Sequence, residues 1–232
     1  MRRLLLFDID GTLLSTNGAA RRAFQQALQH VYSTTGPIER HPFNGKTDPQ
    51  IARELLRAAG LADATIDAGL PRLYDSYLTA LQNEMRATDY RTTVYPGIRD
   101  LLAALAEEES AVLALLTGNV QRGAELKLSS AGLHDYFTFG AFGSDCEQRA
   151  GLPQIAVERA QQRTGHAFRG RDIVVIGDTP HDIRCGEAFG VYTVGVTTGG
   201  HTRQELEAEG ADAVFDDFTD SAEVLRVLLR TL

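Results

Sequence analysis

The chain has 232 residues, of which 43% are hydrophobic and 23% are charged, and its formal net charge is -8. This composition is typical of a globular protein, and the length allows one large domain or a core domain with a small accessory one. The excess of acidic residues argues against a nucleic-acid partner, because phosphate backbones require clustered Lys and Arg.

The cysteines and the start of the chain indicate the cellular compartment of the protein. Cys146 and Cys185 are too few for a disulfide framework and lack the spacing of a zinc site. The first apolar run ends at Asp8 and is too short for a signal peptide or a membrane span. We therefore expect a soluble, cytoplasmic protein with no membrane partner, and the sequence leaves its oligomeric state open.

The first predicted element is a strand at residues 4–7, and a helical segment follows it. From about residue 18 to residue 88 the patterns predict three helices and no convincing strand. The second of these helices is expected to begin with Asp48 as N-cap and Pro49 at the first helical position. A helical insert at this place is expected to cover the carboxyl edge of the sheet, where ligands of open α/β sheets bind.

The rest of the chain alternates short apolar runs with helical patterns. The predicted strands occupy residues 111–116, 173–176 and 191–196, with a weaker one at 213–215. The predicted helices occupy residues 97–108, 120–131, 152–163 and 181–189. This alternation predicts an α/β fold with a Rossmann-like parallel sheet. The predicted domains are a catalytic core of residues 1–16 and 89–232 and a helical cap of residues 17–88.

Two acidic residues directly follow the first strand, in the stretch Asp8-Ile9-Asp10-Gly11-Thr12. Carboxylates two residues apart at the end of a strand, followed by glycine, project into the binding crevice of an open α/β sheet. The alternative is a plain polar turn, since Asp and Gly are both common in turns.

Two later strands end in similar polar clusters. Thr117-Gly118-Asn119 offers a hydroxyl and a backbone amide ahead of a helix, which is a natural site for an anion. Asp178 and Asp182 follow another strand. Each cluster taken alone could be a capped helix start. Because parallel strands end at one edge of a sheet, however, all these side chains can converge with the first acidic pair, which separate turns would not explain.

These three stretches resemble motifs one, two and four of the haloacid-dehalogenase-type hydrolases, and the helical insert lies where that family has its cap. The first motif is typical of the phosphatase branch, with phosphoglycolate-phosphatase-like enzymes as the nearest resemblance. The resemblance implies a Mg²⁺-dependent phosphatase that hydrolyses a small phosphorylated metabolite through a phosphoryl-aspartate intermediate. The alternatives are a sugar phosphomutase, which net phosphate release would distinguish, and a non-catalytic regulator with the same fold.

The resemblance also implies a role for each motif residue. Asp8 is the nucleophile, and Asp10 is the general acid for the leaving oxygen and then the base for the attacking water. Thr117 holds a phosphoryl oxygen. Mg²⁺ lies between the Asp8 carboxylate, the Asp10 backbone carbonyl and Asp178, while Asp182 orients a cation beside the phosphate. The ion suits this chemistry, because a carboxylate attacks a dianionic phosphate only when charge is neutralised.

The third family motif, usually a lysine followed by prolines, is altered here. Lys46 lies in the helical insert and Lys127 lies inside the helix after the second motif, so neither fits. Arg149 occupies the equivalent stretch and is expected to replace that lysine while pairing with Asp182. A cap on a surface turn is the alternative for Arg149, and a solvated loop position is the alternative for Lys46. The remaining expected substrate contacts are Lys46, Gly11, Thr12, Gly118 and Asn119.

Overall fold

The structure, a computed structural model, describes residues 2–87 and 90–229. In chain order its strands are β1 (Arg3–Phe7), β2 (Leu14–Ser15), β3 (Thr93–Val94), β4 (Ala111–Thr117), β5 (Gly140–Phe142), β6 (Ile173–Gly177), β7 (Tyr192–Val196) and β8 (Ala213–Phe215). Six of them form a parallel sheet in the order β5-β4-β1-β6-β7-β8. The predicted α/β fold is therefore confirmed.

The central strand of the sheet explains both its apolar sequence and the place of the site. Leu5 and Phe7 of β1 pack into the apolar cluster on one face of the sheet, and Leu4 and Leu6 pack into the cluster on the other face. Phe7 pairs with Leu115 of β4 on one side and with Ile176 of β6 on the other. The residues that follow these three strands therefore leave the sheet side by side.

The helices are α1 (Ala19–Tyr32), α2 (Asp48–Ala58), α3 (Asp63–Arg86), α4 (Ile98–Ala106), α5 (Gln121–Ala131), α6 (Leu152–Thr164), α7 (Pro180–Phe189), α8 (Arg203–Ala208) and α9 (Ser221–Leu228). The four helices predicted between the core strands are present, with ends that differ by one or two residues from the predicted ones. Over residues 2–87 and 90–229, no helix is both long enough and apolar enough to cross a membrane.

The three helices α1–α3, which we call the helical segment, have an apolar core of their own. Phe24 of α1, Leu55 of α2 and Tyr77 of α3 are buried in one cluster, and the Phe24 and Tyr77 rings meet edge to face at 5.3 Å. The antiparallel pair β2–β3 joins the two connections between this segment and the sheet. The division into core and cap domains stays a prediction, and its predicted boundary at residues 88 and 89 lies outside the described residues.

The start of α2 differs from the prediction. Thr47, not Asp48, is the N-cap, since its side-chain oxygen accepts a hydrogen bond from the backbone N–H of Gln50 at 3.2 Å. Thr47 also donates its hydroxyl to the carbonyl of Glu147 at 2.7 Å. The Asp48 carboxylate is thereby released from capping and accepts the backbone N–H of Val120 at 2.8 Å. The first turn of α2 is thus bonded to the loops of the sheet.

Candidate active site

A cavity of about 240 Å³ lies between the carboxyl edge of the sheet and the helical segment. The sheet side contributes Asp8, Asp10, Thr117, Gly118, Asn119, Lys127 and Arg149 to its walls. The facing side contributes, among others, Arg21, Phe24, Phe43, Lys46, Asp48 and Tyr77. The expected convergence of the strand ends therefore occurs, and the cavity combines polar groups of the sheet side with aromatic and charged side chains of the facing side.

Asp8 lines this cavity and lies one residue beyond the end of β1. Its backbone N–H donates to the carbonyl of Ile176 at 2.9 Å, which continues the sheet pairing, and its side chain is 7% exposed. Burial raises the pKa of Asp8 to about 6, while the Arg149 guanidinium, 3.4 Å from Oδ1, acts in the opposite direction. Nearby positive charge favours the anionic form of this buried carboxylate, which is the form that a nucleophile requires.

The Arg149 guanidinium supplies part of that charge and is held by a second carboxylate. It donates to Oδ1 of Asp182, which has no exposed surface. The other oxygen of Asp182 accepts the Thr179 hydroxyl at 2.6 Å and the Thr179 N–H at 3.1 Å, in the capping box of α7. Arg149 is therefore placed against Asp8 and Asp182, as expected. Its burial is incompatible with the alternative, a cap on a surface turn.

Asp178 completes a compact acidic cluster. One carboxylate oxygen each from Asp8, Asp178 and Asp182 lies within 4.8 Å of the others, and all three residues are buried. Burial, and next the negative charges of Asp182 and Asp8, raise the pKa of Asp178 well above its usual value. Gly199 makes this placement sterically feasible, because a Cβ there would lie 1.7 Å from Oδ2 of Asp178.

The acidic cluster fits a divalent cation by its charge and its donors. Three buried carboxylates face the single guanidinium of Arg149, so a Mg²⁺ ion would bring the group close to neutrality. Hard oxygen donors are also the ligands that Mg²⁺ prefers. Asp8 and Asp178 are the two side chains free to bind it, since both oxygens of Asp182 are already bonded. The Asp10 carboxylate is not part of the cluster, which leaves its backbone carbonyl for the expected role.

Lys127 is the main residue that sequence reasoning missed. We excluded it because it lies inside a helix, yet its ammonium is buried and lies 2.8 Å and 2.7 Å from the two carboxylate oxygens of Asp10. Helical periodicity could have found it: Ala124 and Ala131, three residues before and four after, are both buried. A lysine on the buried face of a helix behind a catalytic motif indicates a paired charge.

Asn119 links the second motif to this ion pair. Its amide nitrogen donates to Asp10 at 2.8 Å and to the Thr117 hydroxyl oxygen at 2.8 Å, while its amide oxygen accepts from Lys127 at 2.6 Å. Thr117 is fully buried and keeps its own hydroxyl proton for an acceptor in the cavity. Asn119 therefore contacts Asp10 and Lys127 in addition to lining the cavity.

Three of the expected substrate contacts serve other purposes in the structure. Gly11 and Thr12 are not among the cavity walls, and the Thr12 hydroxyl donates to Asp178 at 3.1 Å. Gly118 lines the cavity and also allows a close approach of the helical segment, because a Cβ there would lie 2.1 Å from the carbonyl oxygen of Lys46. The assignment of Gly11 and Thr12 as substrate contacts stays a prediction; the chain turns after Asp10 and brings both residues against Asp178.

Besides Arg21, two charged residues reach the cavity from the side that faces the sheet. The Lys46 ammonium lines it while bonded to the carboxylate of Glu54, so it is neither free nor simply solvated. Asp48 is the second residue that sequence reasoning missed. Burial raises its pKa to about 6, against the lowering effect of the positive charge of Lys127.

Comparisons with known proteins agree with this geometry. A family model described as haloacid dehalogenase-like hydrolase matches residues 5–196. A probable phosphatase, IndB, of Dickeya dadantii is 28% identical over 232 residues, covering 99% of this chain and 96% of the relative. A phosphoglycolate phosphatase of Pseudomonas putida is 26% identical over 93% of this chain and 76% of its own length. The crystal structure of a hydrolase from Pseudomonas syringae superposes with a TM-score of 0.72 at 22% identity, over 97% of this chain and 99% of the other.

Proposed function

The chain belongs to the haloacid dehalogenase-like hydrolases, and on that premise we propose that it is a Mg²⁺-dependent phosphatase acting on a small phosphomonoester. One observation carries the proposal. The Asp8 carboxylate lines the cavity with Arg149 beside it and an oxygen of Asp178 within 4.8 Å, which is an arrangement that suits attack on a phosphate dianion. The phosphatase names of the relatives support the same reaction class.

In the first step, one oxygen of Asp8 attacks phosphorus and the bond to the leaving oxygen breaks. Asp10, which reaches the cavity from the same strand end, gives its proton to that leaving oxygen. The product is a phosphoryl-aspartate and a free alcohol. Thr117 and Arg149, which line the cavity, donate hydrogen bonds to the phosphoryl oxygens, over which the charge of the transition state is spread.

In the second step, water replaces the substrate alcohol in the cavity. Asp10 takes a proton from that water while the water oxygen attacks phosphorus, and the bond to Asp8 breaks to release inorganic phosphate. When bound, Mg²⁺ supplies Lewis-acid neutralisation of the phosphoryl charge, and Asp8, Asp178 and the Asp10 carbonyl would hold it. The roles of Asp10 in the two steps are opposite, so one carboxylate serves the whole cycle.

The cavity limits the size of the substrate. Its volume of about 240 Å³ is below the roughly 300–1,000 Å³ typical of pockets for drug-sized ligands. The leaving group is therefore a small alcohol, and phosphoglycolate, named for several relatives, belongs in any first panel. A sugar phosphomutase is the alternative within the family, and it differs by returning the phosphoryl group to the sugar.

A phosphate-release assay over a panel of small phosphoesters with Mg²⁺ tests this function. Asp8→Asn is expected to abolish turnover with the fold intact, and excess chelator to abolish it in the wild type. Asp75→Asn, at an exposed position on α3, is the matched control and should behave as wild type. Near-normal hydrolysis by Asp8→Asn would refute the mechanism, and conversion of a sugar phosphate without phosphate release would favour the mutase.

A further inference from the structure

Lys127 is a buried lysine whose ammonium is bonded to Asp10, the proposed general acid and base. Its side chain is 4% exposed, and its ammonium contacts both oxygens of Asp10 and, at 2.6 Å, the amide oxygen of Asn119. An ammonium group has three donors, so these contacts occupy all of them. They offset the several kcal/mol that burial of such an ion costs.

Packing alone does not account for this residue. Helix α5 is already anchored by buried apolar side chains, including Ala124, Leu128 and Ala131. A methionine at position 127 would fill a similar volume without the cost of burying an ion. The contacts of the ammonium, not of the aliphatic stem, therefore distinguish Lys127 from an ordinary core residue.

The partner carboxylate faces the cavity. Asp10 and Lys127 both border the cavity, but the Asp10 side chain is 42% exposed, whereas that of Lys127 is 4% exposed. Asp10 is held at three points, by two contacts from Lys127 and by one from Asn119, which is bonded in turn to Thr117. A carboxylate held in this way keeps one orientation toward the cavity, whereas an unheld one would rotate freely in water.

We propose that Lys127 is a positioning residue that aims the Asp10 carboxylate into the cavity for proton transfer. The proposal rests on the phosphatase function and adds a residue from outside the motif set to its machinery. The three donors of the Lys127 ammonium are already taken by Asp10 and Asn119, so Lys127 acts through Asp10. A misplacement of about 1 Å in a catalytic group costs on the order of 10²-fold in rate, which is the scale of effect expected.

Kinetics of Lys127→Met test the proposal. On 4-nitrophenyl phosphate, whose leaving group needs no proton, kcat is expected to fall roughly 10²-fold because the water step depends on Asp10, while kcat/KM stays within about threefold. The same substitution in an Asp10→Asn background is expected to have little further effect on kcat, because the group it positions is already disabled. Leu128→Met, one position along α5, controls for disturbed helix packing.

Equal losses in kcat and kcat/KM, or a full additional loss in the Asp10→Asn background, would overturn the positioning role. Crystal structures of the wild type and of Lys127→Met give a readout that does not depend on activity. The Asp10 carboxylate should rotate away from the cavity in the variant, and an unchanged carboxylate would also overturn the proposal. If the wild type releases no phosphate from any ester, the proposed function fails, and the structures still decide the role of Lys127.

Discussion

Replacing Arg149 with methionine is expected to separate the stability of the site from its chemistry. The substitution keeps a long side chain in a buried position but removes the charge shared by Asp182 and Asp8. Asp182, with no exposed surface, would then be a buried carboxylate that has lost its cation. Breaking a buried ion pair in this way costs about 3–5 kcal/mol, so the free energy of unfolding should fall by about that amount.

The effect on catalysis follows from the second contact of Arg149. Its guanidinium lies 3.4 Å from Oδ1 of Asp8, where the phosphoryl group is proposed to be transferred. Loss of one preorganised donor to a developing charge costs about 2.7–4 kcal/mol, or about 10²–10³-fold in rate. We expect kcat/KM to fall by that factor, and Arg149→Lys to recover only part of it because a single ammonium lacks the two-donor fork.

A double variant distinguishes the two effects. Asp182→Asn in the Arg149→Met background removes the stranded charge, and the asparagine oxygen can still accept from Thr179. Urea unfolding should show part of the lost stability restored, while kcat/KM should remain low. The reasoning is refuted if Arg149→Met alone keeps wild-type efficiency, or if its stability lies within about 1 kcal/mol of the wild type.

Three further variants test other parts of the site. Burial raises the pKa of Asp48 from 3.8 to about 6, so ionisation of Asp48 disfavours folding as the pH rises through that range. In urea unfolding above pH 6, Asp48→Asn should therefore be more stable than wild type by up to about 3 kcal/mol. Near pH 4 the difference in the free energy of unfolding should vanish. Lys46→Ala should raise KM for an anionic substrate more than for an aryl phosphate, and an equal change for both would mean that Lys46 serves only its Glu54 pair. Gly199→Ala should raise the Mg²⁺ concentration needed for half-maximal activity, because the new methyl group displaces Asp178; an unchanged Mg²⁺ dependence would place the metal elsewhere.

The elements predicted from the sequence share a local signal. A strand buried on both faces must be continuously apolar, and five such runs appear in the structure within one or two residues of their predicted bounds. Strand β5 gave no such signal, because it begins with Gly140 and so offers only two apolar residues, whereas all three residues of β8 are apolar. A Cβ at position 140 would lie 2.6 Å from the Cβ of Leu115 on β4. The six-residue helix α8 and the two-residue strands β2 and β3 were missed because they are short.

The convergence of the proposed site residues was predictable because topology alone brings them together. Asp8 and Asp178 directly follow parallel strands, Thr117 ends another, and parallel strands end at one edge of their sheet. The contacts of Arg149 were harder to predict. Its position in the chain indicated a cation beside the phosphate, but only the fold shows that α7 brings Asp182 into contact with it.

The strand ends and the residues attached to them could be read from the sequence, since each depends on a pattern a few residues long. Which side chains outside the motifs reach the site depends on tertiary packing. Lys127 reaches Asp10 because α5 packs with that face inward, and Asp48 reaches the same cavity because α2 begins against the loop after β4. Both placements depend on how distant elements pack. The position of a charged residue in the sequence does not identify the partner that makes its burial favourable.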